Sequence, residues 1–169
     1  MKNILIIGCG LLGSSLLRKI TKKKLAKKVF VYEKSKKNIA KFNKLKLPGI
    51  LVNKPEKVVY KSELIILCTP MSEYKKIILK LNNYLTSKHI ITDVGSSKLR
   101  STEIIKNNLK KNIFWTSSHP IAGSEVSGPE YGKHDLFENK WCVLVKGKKC
   151  NTKHLKFLDS FWKKIGSKT

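Results

Sequence analysis

The chain has 169 residues and a formal charge of +25, from 36 Lys and Arg against 11 Asp and Glu. This length suits one domain with a core of its own, needing neither disulfides nor a structural metal, and no apolar run approaches a membrane span. The charge suggests phosphate-rich partners, but the lysines are spread along the whole chain, only Arg18 and Arg100 are arginines, and no nucleic-acid-binding motif accompanies them.

The excess lysine therefore reads as solvated faces, whose field draws small anions toward any cleft. No nucleic-acid partner and no membrane partner are expected. Cys9, Cys68, Cys142 and Cys150 form no C-x-x-C pair or regular framework, so they read as reduced thiols, and no metal site is expected. The apolar residues before Gly8 are too few for a secretory signal, which points to a cytoplasmic protein.

The first elements make one unit. Residues 3–7 form an apolar run of strand type that stops at Gly8, passes the G-x-G-x-x-G spacing of Gly8, Gly10 and Gly13, and turns into a run of helical spacing. Gly8 allows the tight turn, Gly10 lets a pyrophosphate approach the backbone, and Gly13 lets the helix pack closely on the strand. The helix start would hold the phosphates. Glu33 ends the next strand, residues 29–32, and lies 20 residues after Gly13. That is the distance at which an acid holds the adenosine ribose hydroxyls. Dinucleotide binding follows, with Gly8, Gly10, Leu11, Leu12, Gly13, Glu33, Thr69 and Pro70 as the cofactor-binding residues. A 2′-phosphate beside Glu33 is repelled, which favours NAD, while Lys34 and Lys36 leave NADP open.

Ser35 is placed to cap a helix over 36–44. A turn at 47–49 leads to a short strand at 50–52 and a helix or turn at 55–60. Residues 64–68 are a continuous apolar run, the mark of a strand buried on both faces of a parallel sheet. Thr69-Pro70 ends it at the ligand-binding edge of such a sheet. A helix over 72–81, a strand over 90–94, a helix over 99–109 and a short strand over 113–116 follow. Residues 118–132 read as a long loop, a length usually associated with function. A strand at 141–145 and a final helix capped by Asn151 or Thr152, ending at Gly166, complete the pattern. The fold class is α/β, a doubly wound, mainly parallel Rossmann-type sheet with helices on both faces.

Three loops converge at the carboxyl edge: 69–71, 93–98 and 118–125. His119 suits a base that takes a hydroxyl proton, because its pKa lies near neutrality; a packed or surface imidazole is the plain alternative. Ser96 is a partner for that imidazole or for the substrate hydroxyl, or else a helix cap. Ser124 and Glu125 orient substrate or form an ordinary turn. Lys98 is the nearby cation for an anionic substrate, one among many lysines.

The segments Gly8-Cys9-Gly10-Leu11-Leu12-Gly13, Leu67-Cys68-Thr69-Pro70, Thr92-Asp93-Val94-Gly95-Ser96-Ser97-Lys98, His119-Pro120-Ile121-Ala122-Gly123-Ser124-Glu125 and Leu136-Phe137-Glu138-Asn139-Lys140, in this order, resemble the motifs of prephenate and arogenate dehydrogenases. The resemblance implies oxidative decarboxylation in tyrosine biosynthesis, with NAD(P) taking a hydride from the ring carbon that bears the hydroxyl. It implies that His119 takes up the hydroxyl proton, that Ser96 supports that contact, and that Ser124 and Glu125 lie at the substrate pocket. In the family a helical domain follows, supplying most of the dimer interface and basic residues for the substrate carboxylates. Residues 1–169 accordingly read as the cofactor domain, incomplete at its C-terminus, with a homodimer expected only when the helical domain is present. A β-hydroxyacid-type dehydrogenase and a non-catalytic dinucleotide-binding module are the alternatives.

Overall fold

The computed structural model describes residues 3–146 and 150–169. In chain order it holds β1 (Asn3–Ile7), α1 (Leu11–Lys22), β2 (Lys28–Tyr32), α2 (Lys36–Lys44), β3 (Ile50–Leu51), α3 (Glu56–Val59), β4 (Leu64–Leu67), a 3-10 turn at Met71–Glu73 running into α4 (Tyr74–Leu81), β5 (Ile90–Asp93), α5 (Lys98–Asn108), β6 (Ser117–Pro120), a second 3-10 turn at Pro129–Tyr131, β7 (Cys142–Val145) and α6 (Thr152–Ile165). Strands β3-β2-β1-β4-β5 form one parallel sheet in that order. β6 and β7 form an antiparallel pair.

The period-2 alternation of the strands divides the core into two layers. Ile4, Ile6, Val29, Val31, Leu64 and Ile66 face α1, α2 and α6, where they meet Leu16, Phe42 and Trp162. Leu5, Ile7, Phe30, Ile65 and Leu67 face α3, α4 and α5, where they meet Val59, Tyr74 and Ile105. With both faces covered, the central strands read as continuous apolar runs. Side chains fix the helix ends: the Ser35 hydroxyl accepts from the Asn38 N–H at the start of α2, and Asn151 Oδ1 accepts from the Lys153 and His154 N–H groups at the start of α6. Gly166 closes α6 in the left-handed conformation, with φ of +102°.

One expectation is corrected. The strand predicted over 113–116 is a single parallel bridge from Trp115 to Ile91, and the strand proper follows at β6, within the stretch read as a loop. Ser117 and Ser118 are buried there with their hydroxyls satisfied, so a buried strand carries a polar sequence that hydrophobic periodicity misses. Past α6, Lys168 bridges Trp141 in parallel, and the Cys142 N–H donates to the Lys168 carbonyl (2.7 Å). Among the described residues no helix is long and apolar enough to cross a membrane.

Candidate functional site

The turn from β1 into α1 is shaped by packing on two sides and open on a third. Gly8 has φ of +98°, and a Cβ there would lie 2.8 Å from the Cys68 carbonyl carbon. A Cβ on Gly13 would lie 2.0 Å from the Gly8 oxygen, so the first turn of α1 rests directly on the loop. A Cβ on Gly10 would meet nothing within 4 Å. Gly10 is the N-cap of α1 and offers no side-chain cap, leaving the first-turn N–H groups without helical partners at the mouth of a cleft.

That cleft is lined by Gly8, Gly10, Leu11, Glu33, Thr69 and Pro70 among others. Six of the eight expected cofactor residues thus share one wall. Gly13 supports the wall from behind, and Leu12 packs against the core beneath α1. The Glu33 carboxylate accepts from the backbone N–H groups of Cys9, Lys34 and Ser35, each at 2.8 Å, tying the glycine loop to the start of α2. Beside it, Tyr32, Pro55, Ile77 and Leu81 line a narrow, largely apolar slot. The Thr69 hydroxyl is buried in the cleft wall and has no hydrogen-bond partner among the described residues.

Along the same carboxyl edge, on the outer strand, the organising group is Asp93, fully buried at the end of β5. Its Oδ1 accepts from the Ser117 hydroxyl (2.6 Å); its Oδ2 accepts from the Tyr74 hydroxyl (3.1 Å), the Lys98 ammonium (3.0 Å) and the Gly95 N–H (3.2 Å). Lys98 also donates to the Ser118 carbonyl (2.6 Å). The Ser118 hydroxyl shares a hydrogen bond with Thr92 (2.6 Å) and accepts from Trp162 Nε1 (3.1 Å). His119 follows on β6, half-buried and paired with Val143 of β7. Burial, and then the Lys98 charge, hold its imidazole below the ordinary 6.5, with Asp93 opposing. The imidazole is therefore neutral at pH 7, the state in which it accepts a proton.

Lys98, expected to offer a cation to substrate, instead turns inward onto two acceptors. Ser96 is exposed in the bend between β5 and α5, and among the described residues it makes no side-chain hydrogen bond to His119; Ser97, not Ser96, is the N-cap of α5. Ser124 and Glu125 are exposed on the loop after β6. Tyr74 and Ser117 lie in none of the motifs, and Asp93 lies in one without a role of its own, because the contacts among them span 19 and 24 residues of sequence. The one available signal is an acid at the end of an otherwise apolar strand.

The family described as prephenate dehydrogenase, nucleotide-binding domain, matches residues 16–169. The chain belongs to that family. A cyclohexadienyl dehydrogenase from Zymomonas mobilis is 28% identical over 167 residues, covering 99% of this chain and 57% of the relative. A prephenate dehydrogenase from Bacillus subtilis is 27% identical, covering 95% of this chain and 43% of the relative. The chain thus spans about half the length of the curated relatives it matches. Among solved structures, prephenate dehydrogenase from Aquifex aeolicus, in complex with hydroxyphenyl propionate and NAD+, superposes with a TM-score of 0.88 at 30% identity, over 99% of this chain and 58% of that one. The Rossmann-type fold and its nucleotide-binding role rest on this family as well as on the cleft.

Proposed function

We propose that this chain is the cofactor-binding part of an NAD-dependent dehydrogenase of prephenate or arogenate, serving tyrosine biosynthesis. The observation that supports it is the placement of a neutral His119 at the carboxyl edge of the sheet whose β1–α1 turn carries the open Gly10. The cleft fits a dinucleotide on its own terms. It has room at Gly10, free helix N–H groups for a pyrophosphate, a carboxylate for a ribose, an apolar slot for a flat base, and a buried Thr69 hydroxyl in need of a partner.

NAD held there would take the hydride from the ring carbon bearing the hydroxyl, as the ring carboxylate leaves as carbon dioxide and the ring becomes aromatic. His119 accepts the hydroxyl proton as a general base, and its lowered pKa keeps it unprotonated at neutral pH. Ser96 meets the same hydroxyl, and Ser124 and Glu125 meet the substrate. Glu33 accepts from the adenosine ribose and disfavours a 2′-phosphate. Dimer formation belongs to the part of the relatives that this chain does not span.

The test is NADH formation with prephenate and with arogenate, by this chain and by this chain joined to the second half of the Zymomonas mobilis relative. Turnover that drops about 100-fold or more in His119→Asn supports the reading. Tight NAD binding with no turnover of either substrate in either form overturns it in favour of a binding module.

A further inference from the structure

The Asp93–Lys98 pair is not explained by stability. Lys98 is largely buried and Asp93 wholly so. Removing two charges from water costs about as much as their attraction returns, and apolar replacements often do as well. Its contacts are ones that an apolar pair could not make. What it touches is the backbone of β6, one residue before His119.

We infer that Asp93 and Lys98 are positioning residues for His119: the carboxylate holds the ammonium beneath β6, and the ammonium fixes the Ser118 carbonyl, setting the direction of the next side chain and the field around it. The inference rests on the reading of His119 as the base. Three consecutive residues are fastened by different partners. Ser117 donates to Asp93, Ser118 is held at both its carbonyl and its hydroxyl, and the His119 backbone meets the Cys142 thiol. Among the described residues the His119 imidazole, which is half-buried, makes no side-chain hydrogen bond. Tyr74, donating to the same Oδ2, ties this arrangement to the start of α4, next to Glu73 in the cofactor cleft.

The groups facing His119 are Lys98 from α5, Asp93 from β5 and Cys142 from β7. Cys142 is pushed up to about 12 by burial and carries no charge at neutral pH. Lys98 and Asp93 act on the imidazole in opposite senses, the lysine more strongly.

The experiment is an NMR titration of the imidazole Cε1–H signals, the His119 signal being assigned by its loss in His119→Asn. In Lys98→Met the His119 midpoint moves up. In Asp93→Asn/Lys98→Met, which keeps the buried site neutral and guards against misfolding, it lies between wild type and Lys98→Met. Lys98→Arg, which keeps the charge, stays near wild type. An unmoved His119 midpoint in Lys98→Met, or a double-variant midpoint outside the interval between wild type and Lys98→Met, with the other three histidines and the melting temperature preserved, overturns the inference. The titration needs no turnover, so an inactive chain leaves the inference standing, and an unmoved midpoint leaves the proposed reaction standing.

Discussion

Gly10 and Gly13 answer opposite demands three residues apart. At Gly13 a methyl group would lie 2.0 Å from the Gly8 oxygen, a backbone atom that cannot swing aside; at Gly10 it would enter open space. Gly13→Ala should therefore destabilise the fold by about 1–3 kcal/mol or more through overpacking, seen as a lower melting temperature. Gly10→Ala should melt like wild type yet lose NAD affinity in calorimetry, because its methyl occupies the space a pyrophosphate needs. His119 carries a second prediction. Its pKa is depressed, so turnover should be full at neutral pH and fall as pH drops through the lowered midpoint. Stability follows the same sign, since below 6.5 the unfolded chain binds the proton more readily than the native one. His154, also lowered by burial, adds to it. Urea midpoints should therefore decline from pH 7 toward pH 5. The glycines and Glu33 were legible in the sequence because their chemistry is local to one strand–turn–helix unit. The role of Asp93 is not local in this way, because a buried carboxylate is defined by the donors around it, and these come from α4, α5 and β6.

At the scale of elements, β6 shows where hydrophobic periodicity fails. Ile113 and Trp115 are apolar and buried, so hydrophobic pattern alone predicts the strand there. The chain makes its ladder one step later, on Ser117 and Ser118, whose hydroxyls find Asp93, Thr92 and Trp162 inside the protein. In contrast, α2 and α6 were readable at their starts because Ser35 and Asn151 cap them by short-range bonds. Contacts between elements were invisible for the same reason as β6. Lys19 on α1 is almost fully buried and pairs with Glu138, pinning the segment before β7 onto the helix. Glu138→Ala would leave that ammonium without its carboxylate and should lower the melting temperature by several degrees, and Lys19→Met in the same chain should restore much of the loss. Removing the exposed Lys163–Asp159 pair of α6 should change it little.

For the whole molecule the decisive quantity is the charge of +25. Composition alone announces a field that attracts anions, and the fold gives that field an address. Lys34, Lys37 and Lys41 line one side of the cofactor cleft, and Lys76 and Lys80 border the adjoining slot. Lys34 pairs with Glu73, Lys41 with Glu130 and Lys80 with Glu56, and Glu33 keeps its charge beneath its backbone donors, so the attraction comes from the surplus of lysine over carboxylate around the cleft. A dinucleotide brings a doubly charged pyrophosphate into this field, whereas adenosine would enter the same slot uncharged. Screening shortens the reach of exposed charges from about 30 Å at 0.01 M salt to about 3 Å at 1 M. NAD affinity, measured by calorimetry across that range, should therefore fall steadily with salt while adenosine affinity stays flat. Equal weakening of both ligands would trace the effect to the protein's own stability and not to the field. A flat response for both would mean that the lysine excess is solvated surface with no part in binding.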